Sequence, residues 1–127
     1  MATYRIFLVD DDRFLLDMYA IKFKNAGHDV TAFQSGDEAL AALKKGPVPD
    51  AMLLDVVMPG MTGFEVLEQM RRENIAPTTR VIILSNQGQD SDLEKAKELK
   101  TAGYIIKASA IPSEVFSETI SIIEKPA

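Results

Sequence analysis

Ala51-Met52-Leu53-Leu54-Asp55, followed by Val56-Val57-Met58-Pro59-Gly60, is an apolar run that stops at a carboxylate and passes into a turn. Four consecutive apolar residues with no polar alternation describe a strand covered on both faces, and such strands belong to parallel sheets flanked by helices. The strand therefore delivers Asp55 to the open end of a sheet. Three further runs are built alike: Tyr4 to Val9 ends at Asp10-Asp11-Asp12, Val81 to Leu84 ends at Ser85, and Tyr104 to Ile106 ends at Lys107. In open parallel sheets ligands bind beyond the carboxyl ends of the strands. Asp10, Asp11, Asp55, Ser85 and Lys107 are expected to converge there.

Between these strands the apolar period lengthens to that of a helix. Asp11-Asp12 can cap a helix to about Ala26, with Leu15, Met18, Tyr19, Phe23 and Ala26 inward and Gly27 as its stop. Asp29 to Phe33 is short and mixed in polarity, which suits an edge strand. Ser35-Gly36-Asp37-Glu38 and Thr62-Gly63-Phe64-Glu65 have capping-box spacing. The first opens a helix through Lys45, ended by Gly46-Pro47, and the second a helix to about Glu73 that buries Phe64, Val66, Leu67 and Met70. Asp90-Ser91-Asp92 caps a helix to about Thr101 whose apolar stripe is only Leu93, Ala96 and Leu99, so this helix should be the easiest to shift. The last helix, Pro112 to Lys125, carries a wide stripe of Val115, Phe116, Thr119, Ile120, Ile122 and Ile123. It reads as a helix buried at the sheet edge, the other reading being that Val115 and Ile122 spill into a partner-binding patch. Five β/α units in series, without repeat or linker, predict one α/β layer sandwich.

The 127 residues, 46% hydrophobic and 26% charged, suffice for one globular domain with a core of its own. With no cysteine there is no disulfide or thiolate metal site, which fits a reducing compartment. Neither a bilayer-spanning run nor a signal peptide is present, so a cytoplasmic protein away from membranes is expected. A net charge of -5, with lysines scattered and not interleaved with aromatics, argues against direct DNA binding.

Three carboxylates at one sheet edge repel: two like charges ~4 Å apart cost about 4 kcal/mol at an effective dielectric near 20. Lys107 offsets part of this, and a hard divalent cation would offset more. Mg2+ takes one or two carboxylates, keeps several waters and completes its shell with phosphate oxygens. The site is therefore suited to Mg2+ and a phosphoryl group, with an Asp able to act as nucleophile and Ser85 able to donate to a phosphoryl oxygen. Taken singly, each residue has a plainer reading. An Asp run after a strand is a helix cap, Lys107 a snorkelling lysine, Ser85 a turn residue and His28 an ordinary surface histidine. Spacings of 44, 30 and 22 residues from Asp11 to Asp55, Ser85 and Lys107 in turn make the joint reading the stronger one.

At these residues the chain resembles the response-regulator receiver domains of bacterial two-component signalling, and it is similar in size to the stand-alone chemotaxis receiver. The resemblance is carried by Phe7-Leu8-Val9-Asp10-Asp11-Asp12, Leu54-Asp55-Val56-Val57-Met58-Pro59-Gly60-Met61-Thr62-Gly63, Val81-Ile82-Ile83-Leu84-Ser85 and Ala102-Gly103-Tyr104-Ile105-Ile106-Lys107. It implies a flavodoxin-like (βα)5 three-layer sandwich with strand order 2-1-3-4-5, and a single receiver domain over residues 1–127 without an output domain. It further implies that Asp55 is the phosphoacceptor, that Asp10, Asp11, Asp55 and the Val57 carbonyl hold Mg2+, and that Asp12 is a bystander or cap. Ser85 and Lys107 would close on the phosphoryl group, with Ser85 and Tyr104 as the switch pair. The donor would be a histidine kinase or a phosphotransfer protein. The protein would act as a signalling phosphoacceptor and not as an enzyme on other substrates. Its target, a protein not identified by sequence, would read the face formed by the Asp90 to Thr101 helix, the last strand and the last helix, and the chain would be a monomer or a phosphorylation-dependent dimer.

One departure concerns the residue after Lys107, which is Ala108 where the family usually has a cis proline. A cis bond to alanine costs roughly 3 to 4 kcal/mol, so a trans bond is expected. Val57 and Gln87 flank the site and should influence access of water to the phosphoryl group. Other readings are a receiver excised from a hybrid kinase or transcription factor, and a phosphorylation-independent interaction module on the same fold. An aspartate-nucleophile phosphatase fits less well, because Phe14 stands where its motif wants Thr or Val.

Overall fold

The apolar runs pair in parallel as β1 (Arg5–Val9), β2 (Asp29–Phe33), β3 (Ala51–Asp55), β4 (Arg80–Ser85) and β5 (Gly103–Ile106). The computed structural model, which describes residues 2–86, 90–107 and 110–125, orders them β2-β1-β3-β4-β5. Five helices return the chain between strands: α1 (Arg13–Asn25), α2 (Gly36–Lys45), α3 (Gly63–Arg72), α4 (Asp90–Glu98) and α5 (Pro112–Glu124). Every residue of β3 is buried, which accounts for its unbroken apolar run, while β2 shows the exposed pattern of an edge. No helix among the described residues is long and apolar enough to cross a membrane.

Alternation along the strands makes two cores. Phe7, Val9, Met52, Leu54, Val81 and Ile83 face one side, with Leu40, Phe64, Leu67 and Met70 of α2 and α3. Ile6, Leu8, Leu53, Ile82, Leu84 and Ile105 face the other, with Leu16, Tyr19 and Phe23 of α1 and Val115 and Ile123 of α5. Each fully buried aliphatic or aromatic side chain contributes about 1.5 to 3 kcal/mol, so these layers dominate stability. Strand order reverses between β1 and β3, the switch point at which such sheets bind ligands, and Asp10 and Asp55 lie at that seam.

The helix starts follow the sequence signals. Asp12 accepts from Leu15 N–H at 3.2 Å, Ser35 from Glu38 N–H at 3.3 Å, and Thr62 and Glu65 form a reciprocal capping box. Each such cap is worth about 1 kcal/mol. At α5, Pro112 occupies the first turn and the Glu114 carboxylate accepts from Ile111 N–H at 3.0 Å.

Two expectations are corrected. In α1 Tyr19 and Phe23 are buried as predicted and Leu15 and Met18 are half-buried, but Leu16 and Ala20 are buried beside them and Ala26 is exposed, so the inner face is centred nearer Leu16. His28 is not a surface residue: it is 8% exposed, its Nδ1 accepts from Tyr4 N–H at 3.1 Å, and its ring stacks on Tyr4. Val115 does not spill outward but is wholly buried, so the edge-buried reading of α5 holds. Gly103 supports that packing, because a Cβ there would lie 2.5 Å from Ile122 Cδ1. As expected, α4 is thinly anchored, with Ala96 buried and Leu93 and Leu99 half-buried.

Candidate functional site

The acidic residues after β1 and at the end of β3 are differentiated by their surroundings. Asp10 and Asp55 are 1% and 4% exposed, while Asp11 stands at the mouth in solvent. One carboxylate oxygen from each of Asp10, Asp11 and Asp55 lies within 4.8 Å of the others. Asp10 Oδ1 accepts from Asp12 N–H at 2.9 Å, and Asp12 itself is spent as the cap of α1. A three-residue acidic run thus yields a buried anchor, an exposed ligand and a helix cap.

Lys107 follows β5 and brings the cation. Its Nζ is 2.8 Å from Asp10 Oδ2 and 3.4 Å from Asp55 Oδ1, with the side chain 7% exposed. Burial first, and the Asp10 charge second, push the Asp55 carboxyl up to about 7 against the pull of Lys107. Burial pulls Lys107 down, but the bond to Asp10 and the charges of Asp10 and Asp55 outweigh it and leave the ammonium above its ordinary value. One cation does not neutralise two buried carboxylates with a third at the mouth of the pocket. A hard divalent cation suits the imbalance, since the donor set is all oxygen and its outer member is open to solvent. Asp10, Asp11 and Asp55 therefore fit the metal that the motifs imply.

Backbone contacts hold the loop after Asp55. Val56 N–H donates to Leu84 O at 3.2 Å and Gly63 N–H to Val56 O at 3.0 Å. A Cβ on Gly63 would stand 2.1 Å from the Asp55 carbonyl oxygen, so α3 can begin this close to β3 only with glycine there. The capping-box spacing predicted the helix start but carried no sign of this contact. Tyr19 was expected only as a core residue. Its hydroxyl is also raised, by burial first, with the charges of Lys107, Asp10 and Asp55 acting on it.

The other residues singled out lie around this centre. Ser85 is buried at the end of β4, and its strand neighbour in register is Ile106. By alternation Ser85 falls on the side of α2 and α3, and half-buried Tyr104 packs against that same core. Asp55 has the opposite parity, with Leu53 and the α1/α5 core. Val57, in the turn after β3, is 71% exposed. Gln87 and the Lys107-Ala108 bond lie outside the described residues.

Fold and pocket together define a class: flavodoxin-like α/β domains with a carboxylate and lysine cluster at the β1/β3 switch point. Residues 6–115 match the family described as the response regulator receiver domain, and the chain belongs to that family. It is 28% identical over 119 residues to protein PilH of Pseudomonas aeruginosa, covering 94% of this chain and 96% of PilH. It is 31% identical over 103 residues to regulatory protein VanRc of Enterococcus gallinarum, covering 81% of this chain and 43% of VanRc. The chain thus spans less than half of one relative and nearly all of the other. Chemotaxis protein CheY4 of Vibrio cholerae superposes with a TM-score of 0.85 at 26% identity, over 95% of this chain and 99% of CheY4.

Proposed function

We propose that this chain is a phosphoacceptor response regulator: a single receiver domain over residues 1–127 that acts in the cytoplasm and takes a phosphoryl group from a histidine kinase or phosphotransfer protein onto Asp55. The observation that carries this reading is the convergence of Asp10, Asp11 and Asp55 with Lys107 at the carboxyl edge of the sheet. In the ionised form an Asp55 carboxylate oxygen attacks the phosphorus of a phosphohistidine. The P–O bond forms as the P–N bond breaks, and the imidazole leaves with the bonding pair and picks up a proton. Mg2+, held by Asp10, Asp11, Asp55 and the Val57 carbonyl, supplies positive charge to the phosphoryl oxygens when bound. Lys107, already seated against Asp10 and Asp55, pairs with the charge added to Asp55, and the Ser85 hydroxyl donates to a phosphoryl oxygen.

The outcome is a two-state switch in which Ser85 and Tyr104 shift together and bias thinly anchored α4. A protein target then reads the α4, β5 and α5 face, with no direct DNA contact by this domain. Incubation with Mg2+ and acetyl phosphate is expected to give one phosphoryl adduct by intact mass, acid-stable and base-labile. The adduct should be absent in Asp55→Asn and in EDTA. A wild-type protein that takes no phosphoryl group from acetyl phosphate or phosphohistidine donors would sink the reading in favour of an interaction module that works without phosphorylation.

A further inference from the structure

At the end of the sheet opposite Asp55, arginines from neighbouring elements hold the turn that follows α4 and the last carbonyls of α5. Arg71, in the last turn of α3, donates from Nε to Leu99 O at 2.8 Å and from Nη2 to Lys100 O at 3.1 Å. Arg80, the first residue of β4, donates from Nη1 to the carbonyls of Ile122 and Ile123. The last carbonyls of a helix carry the negative end of its dipole, and at α5 the Arg80 guanidinium meets two of them. In α4 the carbonyls of Lys95, Ala96 and Lys97 accept from the N–H groups of Leu99, Thr101 and Lys100, so Arg71 holds the turn just beyond the helix. Among the described residues neither arginine is ion-paired to a carboxylate, which leaves the carbonyl grip as the contact each makes.

The two helices differ in what else holds them. Val115, Thr119 and Ile123 of α5 are buried, and Phe116, Ile120 and Ile122 pack against that core. Among the described residues of α4 only Ala96 is buried. Its remaining tie to α3 is Lys95, 3.5 Å from Glu68 with both side chains exposed, and 5.4 Å from the centre of the Phe64 ring. Exposed ion pairs of this kind hold little. Lys100 also has φ +58, a left-handed conformation in which glycine is the usual occupant, and Arg71 binds this residue's carbonyl.

We infer that Arg71 is the pivot of α4: it fixes residues 99–101 against α3 so that the N-terminal end, which follows Ser85, is the end that rearranges. This regulation rests on the receiver reading above, but its first test does not. Hydrogen exchange on the full unphosphorylated chain is expected to show Arg71→Ala speeding exchange across residues 96–101 by about tenfold, as befits loss of a charge-assisted bond. Lys95→Ala should change it less than about twofold. Unchanged exchange in Arg71→Ala, or acceleration spread evenly over β1, β3 and β4, would overturn the pivot. Should Arg71→Ala not fold, Arg71→Lys keeps the charge without the two-carbonyl fork, and the same segment should still exchange faster. In wild type treated with acetyl phosphate and Mg2+, exchange should change over residues 90–95 and not over 99–101. Equal change at both ends would refute the pivot, whereas absence of any phosphoryl adduct would refute the phosphoacceptor reading and leave the exchange results on unphosphorylated protein standing.

Discussion

Asp55 is shifted by its surroundings away from the ionised form that the proposed chemistry uses. Its ordinary value of 3.8 is raised to about 7 by burial and by Asp10. A carboxyl raised in the folded state contributes most below its unfolded value, and that contribution is lost as pH climbs from about 4 through about 7. Metal-free Asp55→Asn lacks this loss. Its stability relative to wild type, measured by urea unfolding with EDTA present, is therefore expected to rise between pH 4 and pH 8 by about 3 kcal/mol. Mg2+ affinity in wild type should correspondingly weaken as pH falls through about 7, which isothermal titration would register as proton release on binding. Lys107 has the opposite role. Lys107→Ala leaves Asp10 and Asp55 buried without their cation, and metal-free stability at pH 8 should fall by about 3 kcal/mol. The loss should be smaller at pH 5, where the raised Asp55 carboxyl takes up a proton, and a larger share of it should be restored by Mg2+ than wild type gains. Equal losses at both pH values would mean that packing of the lysine stem, and not its charge, is what matters.

Among the elements, α3 is the one whose position bears most closely on the backbone of Asp55. Its first residue, Gly63, touches the backbone of Asp55 and Val56 with no room for a Cβ. Gly63→Ala must therefore move α3 or the β3 end, and a destabilisation of about 2 to 4 kcal/mol with sharply slower phosphoryl uptake is expected from unfolding and mass measurements together. Thr62→Ala, one residue earlier, removes only a cap and should cost about 1 kcal/mol while uptake stays near wild type. Similar uptake in the two variants would show that the close approach of α3 does not position Asp55. The contrast separates a helix start that stabilises from one that also places a reactive group.

Over the whole molecule, two apolar layers share one sheet, and their shares are uneven. β1, β3 and β4 are buried nearly throughout, whereas among the described residues of α4 one side chain, Ala96, is buried. Native-state hydrogen exchange should therefore find the amides of these three strands protected to the global unfolding limit, with α4 opening several kcal/mol below it. Exchange of α4 at the global limit would remove the physical basis for a switch located there. The end of the sheet away from the acceptor is tied differently, by Tyr4, whose hydroxyl donates to Glu124 at 2.8 Å while its ring stacks on His28. These contacts join the start of β1, the turn before β2 and the end of α5.

Sequence by itself determined the strand and helix alternation, the burial of β3 and the chemistry at each strand tip, because those depend on local period and on where an apolar run stops. Asp10, Asp55, Ser85 and Lys107 were legible for that reason, and resemblance to receiver domains supplied the strand order. What only the tertiary structure decided were contacts between elements far apart in the chain. The burial of Leu16 beside half-buried Leu15, the burial of His28 beneath Tyr4, the need for glycine at position 63 and the grip of Arg71 on Leu99 and Lys100 all depend on which backbone approaches which. A periodic pattern records how much of a residue is buried, whereas the identity of what covers it is set only when the layers close.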